Sequence, residues 1–149
     1  MYWRHKSEAV EKLRRRGIIP LDHYAIRQHE QLDNIIRLCA PLIRPYVRSN
    51  HLIFIFPYDR TAQPAPFAGC AGLQTGNHRT AVIGIAAEVL QGKWGQDYAV
   101  YVMLHEIAHM EYDGHGPEFI SHLDGLIARF NRATGRNIKN DKRHVHTGV

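Results

Sequence analysis

The sequence predicts an α+β fold. A small, mainly antiparallel sheet of about three strands packs on a central helix, with further helices toward the N- and C-termini. Three observations carry this. Apolar residues recur at helical spacing before residue 48 and again after residue 96. Three short apolar runs rich in β-branched residues lie between those stretches. The length of 149 residues, with 44% hydrophobic and 22% charged content, suits one hydrophobic core.

Taken in order, residues 7–16 (SEAVEKLRRR) suit a short helix, with Ser7 as N-cap and Gly17 as its stop. Asp22 can cap a second helix, in which Leu32, Ile35, Ile36, Cys39, Leu42, Ile43, Tyr46 and Val47 fall at helical spacing. Pro41 and Pro45 lie inside that run and predict a break or kink near residue 40. His51–Phe56, Phe67–Gln74 and Thr80–Ala86 are strand candidates. Residues 57–66, with three prolines, read as a loop, and Thr75–His78 as a turn. Asp97–Asp113 reads as an amphipathic helix, with Ala99, Val100, Met103, Leu104, Ile107 and Ala108 on its apolar stripe. Pro117 suits the first position of a last helix that buries Phe119, Ile120, Leu123, Ile127 and Phe130 and ends at Gly135. Residues 136–149 have no periodicity and are expected to fray. The organisation expected is a basic extension over 1–20, a domain over 21–138 and a basic tail over 139–149.

Composition narrows the function classes. No apolar run approaches the ~18 residues of a membrane span. The basic N-terminus has no apolar stretch of the kind a secretory signal needs. Cys39 and Cys70 are too few for a disulfide framework or a four-cysteine zinc site, so a reducing, cytoplasmic setting is expected. Charge is uneven: the total is +5, with +4 in residues 1–20 and +5 in residues 129–149, leaving −4 between them. Two basic ends can contact a polyanion, most simply nucleic acid. They can equally be solvated termini, because no aromatic residues are interleaved with the arginines as stacking platforms.

The segment His105-Glu106-Ile107-Ala108-His109 carries the chemistry. On a helix, positions i and i+4 lie about 40° apart on one face, so two imidazoles can reach one ion. Glu106, one residue on from His105, projects to the side. It is poorly placed to be a third ligand but able to reach a water held by that ion. This arrangement is the logic of zinc peptidases: two histidine ligands and a glutamate general base. A third protein ligand leaves one coordination position for water. His115 is the candidate, because Gly114 and Gly116 let the chain turn back from the helix. Ordinary half-buried helix histidines are the competing explanation of His105 and His109. His122 is expected at the surface or behind the ligands, and His144 and His146 in solvent.

The i, i+4, i+10 histidine spacing resembles that of the metzincin peptidases. Tyr112 stands where their glycine falls, and no methionine follows Met110 to supply a Met-turn. The wider stretch is closer to another family. Leu104-His105-Glu106-x-x-His109, then Gly114-His115-Gly116-Pro117-Glu118-Phe119, then Asn131–Ile138, resembles the SprT-like metalloproteases, whose eukaryotic members include the Spartan DNA–protein crosslink proteases. Cys70-Ala71-Gly72 and Glu88-Val89-Leu90 are similar to the segment before that family's active-site helix. The resemblance covers roughly residues 24–140. It implies a zincin-like fold, Zn2+ held by His105, His109 and His115, Glu106 as general base, and hydrolysis of peptide bonds in proteins, DNA-associated ones included. It also implies a cytoplasmic enzyme that associates with the nucleoid or nucleus.

Two other functions compete. A YbeY-type metal-dependent endoribonuclease shares the histidine spacing but has glycine where Glu106 stands. A non-catalytic zinc or nucleic-acid-binding module is the other. If residues 80–86 form a strand along the cleft, an extended substrate can pair with it through main-chain atoms, which favours loose sequence preference. Glu118, Tyr112 and Asp113 are the nearby candidates for orienting the histidines.

Overall fold

The computed structural model describes residues 26–48, 52–58, 69–74, 80–112 and 114–140. In chain order the elements are α1 (Ile26–Arg48), β1 (Leu52–Tyr58), β2 (Gly69–Gln74), β3 (Thr80–Ala86), α2 (Ala87–Leu90), α3 (Gln96–His109) and α4 (Pro117–Thr134). This is an α+β arrangement in which helix predominates. The short helix expected at 7–16, the Asp22 cap, the loop after residue 58, the 75–78 turn, Asp113 and the residues after 140 lie outside the described residues.

Helix α1 runs through both prolines without interruption, so the break expected near residue 40 does not occur. The reason lies in which face the prolines occupy. Leu32, Ile35, Cys39 and Ile43 are buried, whereas Arg37, Pro41 and Pro45 are exposed. Each proline removes the donor to the carbonyl four residues earlier, here Arg37 and Pro41. Those carbonyls lie on the wet face, where water can replace the lost bond. On the buried face, full desolvation pushes the Cys39 thiol up to about 12. It stays protonated at neutral pH and is a packing residue.

The strands pair in the order β1-β3-β2. β1 runs parallel to β3, from Leu52 opposite Thr80 to Tyr58 opposite Ala86. β2 runs antiparallel to β3, with Gly69 opposite Ile85. The pairing is therefore mixed, not mainly antiparallel. Successive strands do alternate in direction. Because β3 lies between β1 and β2, the first and third strands become neighbours, and they point the same way. β1 also continues through Pro57, which the sequence places in a loop. An edge strand tolerates proline, because the missing N–H need not face the neighbouring strand. Ile83 and Ile85 of the central strand are fully buried.

From Ala86 the chain passes into the single turn α2, which the sequence reading leaves unassigned, and then reaches α3 through Gly95. At φ 91°, ψ 162° Gly95 occupies a region open essentially to glycine alone, and its carbonyl accepts the Ala99 N–H at 3.3 Å. Helix α3 is the hub: it packs against α1, α4, β2 and β3. Every residue from Tyr98 to Ala108 is buried. The amphipathic stripe expected for this helix is thus overridden, because neighbours cover it on all sides. The two polar members of that run, His105 and Glu106, are 1% and 2% exposed. Acidic side chains are seldom buried to this degree without partners or a function.

Helix α4 begins with Pro117 in its first turn and ends on Gly135 at φ 72°, the left-handed cap that glycine favours. Its buried face is Phe119, Leu123, Leu126, Ile127 and Phe130. Ile120, expected in that face, is 39% exposed. It shares an azimuth with Ile127, at the margin of the stripe and near the helix end.

The chain does not fray immediately after Gly135, contrary to expectation. The Asn131 side chain clamps Ile138: its Oδ1 accepts the Ile138 N–H at 2.8 Å and its Nδ2 donates to the Ile138 carbonyl at 3.0 Å. Ile138 is buried. Two residues on, past the boundary expected at 138, Asn140 Oδ1 accepts the Tyr101 hydroxyl at 2.9 Å. Asn131→Ala strips both main-chain partners from a buried residue. It should lower unfolding free energy by about 1–3 kcal/mol in a denaturant titration; a shift within error would mean that water replaces the clamp.

Candidate metal centre

Helix geometry sets the first two donors. His105 and His109 are one turn apart on α3, the former buried and the latter half-buried at the last helical position. The helix stops there, four residues short of the Asp113 end expected from sequence. The stop is tight: Met110 N–H and Glu111 N–H bond back three residues to Ile107 and Ala108, each at 3.1 Å. His109 itself closes the turn, with Nδ1 3.0 Å from the Tyr112 carbonyl oxygen. A carbonyl only accepts, so Nδ1 is the donor, and in the neutral ring the lone pair sits on Nε2.

The turn then brings His115 back, immediately before Gly116 caps α4. Three Nε2 atoms converge. His109 Nε2 lies 3.0 Å from that of His105 and 3.0 Å from that of His115, and the remaining pair is 3.4 Å apart. Tetrahedral ligand nitrogens at about 2.0–2.1 Å from a zinc ion are spaced at about 3.3–3.4 Å. The observed triangle is close to that, slightly contracted. The donor set fits a divalent ion, and among the described residues these three are the group able to hold one. Burial holds the His115 imidazole below the usual histidine range, which favours the neutral, ligating form at pH 7.

Phe119 touches all three rings. It stacks on His109, with centroids 4.3 Å apart and planes 23° apart. It meets His105 and His115 edge-on, at 5.0 Å and 5.1 Å. The Tyr101 ring also lies near His105, with centroids 6.0 Å apart, and the hydroxyl bond to Asn140 holds that ring.

The structure thus brings together the three histidines expected as ligands. Glu106 is not among the converging donors; it follows His105 on the same buried turn. His122 stands apart, half-buried, with its ring 5.5 Å from that of Tyr112. Of the residues expected to orient the histidines, Tyr112 does so through its main-chain oxygen, while exposed Glu118 lines an open groove on the outer side of α4 with His122. Phe119 and Tyr101 are contacts that sequence reasoning assigns only to the core. The available signal is spacing: Phe119 is four residues after His115 and Tyr101 four before His105.

Comparison of the chain with protein-family models, with curated proteins and with solved structures returns no match. No described helix is long and apolar enough to cross a membrane.

Proposed function

We propose that this chain is a zinc-dependent endopeptidase with a zincin-like, SprT-like domain, acting on proteins, DNA-associated ones included. The observation that carries the reading is the convergence of three Nε2 atoms from an HExxH helix and the turn after it. Glu106 stands where that motif supplies its base.

A zinc ion bound there supplies Lewis acidity, which polarises a scissile carbonyl and acidifies a water. The protein's own groups do the rest. Glu106 takes the proton of the attacking water and returns it to the leaving amine. His105 and His109 present their nitrogens from a rigid helix, and the Tyr112 carbonyl fixes the His109 tautomer. β3, the strand expected to pair with an extended substrate, is already bonded to β1 on one side and β2 on the other, so main-chain pairing with substrate falls to another edge. Such pairing leaves cleavage little dependent on sequence. The basic segments 1–20 and 129–149 are the proposed DNA contact. With only Cys39 and Cys70 in the chain, a reducing, cytoplasmic setting is the one proposed.

The test is cleavage of a DNA-bound protein, with and without single-stranded DNA, beside an RNA substrate. Protein cleavage abolished by chelation and restored by zinc is expected. RNA cleavage alone indicates the YbeY-type activity instead. A zinc-loaded protein that cuts neither substrate is a binding module.

A further inference from the structure

The three imidazoles share a neighbour that supplies no donor atom. Phe119 is 2% exposed, and its ring contacts His105, His109 and His115 at once. We infer that Phe119 is the positioning residue of the metal centre, a planar wedge that holds the three rings in ligating orientation before metal arrives.

Local structure makes the wedge rigid. Phe119 lies in the first turn of α4, where Pro117 presets the backbone and the Ile120 N–H bonds to the Gly116 carbonyl at 3.0 Å. His115 is four residues earlier, across the Gly116 cap, so helix start and third ligand form one unit. His105 and His109 come from a different helix. Phe119 is therefore the side chain through which α4 sets the angle between the two ligand sources. Its effect on each ring differs. The near-parallel stack on His109 fixes that ring's plane, in concert with the Tyr112 carbonyl on its other nitrogen. The edge-on contacts limit rotation of His105 and His115. An imidazole polarised by a bound cation also gains from the negative face of a stacked aromatic ring.

A flexible apolar side chain of similar volume can fill this space without fixing ring planes, which sets the experiment. Phe119→Leu keeps the core filled and removes the plane. Phe130→Leu, equally buried on the same helix, is the control for lost packing. Zinc affinity is measured by competition with a chromophoric chelator, and ligand geometry by the visible absorption of the Co2+-substituted protein. Loss of a group that orients a ligand costs about 10–100-fold in metal affinity. Phe119→Leu should lose about tenfold in zinc affinity and show an altered Co2+ spectrum, while Phe130→Leu keeps both wild-type values at a similar or lower melting temperature. Phe119→Tyr, which restores the plane, should recover most of the affinity.

The inference rests on the metal reading of the histidines and not on peptidase activity. A wild-type protein that takes up no zinc overturns both that reading and this role. Wild-type zinc binding together with undiminished affinity in Phe119→Leu overturns the positioning role alone. Equal losses in the two leucine variants mean general packing, which overturns it as well.

Discussion

Glu106→Gln should leave zinc bound and reduce peptide cleavage by about two to four orders of magnitude, the usual worth of a positioned general base. The substitution is nearly isosteric, so α3 keeps its packing at a position 2% exposed. What it removes is the ability to accept a proton. Because Glu106 is not one of the converging donors, zinc content by metal analysis should match wild type. Unchanged proteolysis would end the assignment of Glu106 as base. Loss of zinc along with activity would make Glu106 a support of the site.

His115→Ala should abolish stoichiometric zinc binding. Removal of a group that merely orients a ligand costs about 10–100-fold in affinity, and removal of a ligand should exceed that. His115 is the informative ligand to remove. His105 is buried in the helical hub, where alanine also leaves a cavity. His115 is half-buried in the turn between α3 and α4, so its loss should leave the fold largely intact by circular dichroism. Zinc content equal to wild type in a folded His115→Ala protein would show that another residue completes the site.

The cluster of His105, His109 and His115 was legible in the sequence because it depends on local rules. Helical periodicity fixes where residues i and i+4 point, and glycines on either side of His115 permit a reversal. Strand Thr80–Ala86 and the Pro117-to-Gly135 limits of the last helix are local in the same sense, and the structure has them where the spacing and caps place them. The features that sequence reading missed are non-local. Whether β1 lies beside β2 or β3 is a choice of neighbour, which strand propensity does not encode. That α3 is covered on all sides depends on where α1 and the sheet come to rest. The tolerance of α1 for Pro41 and Pro45 depends on which face meets water. The Asn131 clamp on Ile138 joins residues seven apart beyond a helix end, outside any periodic pattern. Phe119 shows the same limit within the site. Its apolar character and spacing identify a core residue, but only the crossing of α3 and α4 puts the ring against three imidazoles.

Zinc-edge X-ray absorption of protein loaded with one equivalent of zinc tests the central claim most directly. Three imidazole nitrogens and one oxygen ligand at about 2.0–2.1 Å are expected, at one ion per chain. A protein that holds no zinc, or a first shell containing sulfur or fewer than three imidazoles, would contradict it.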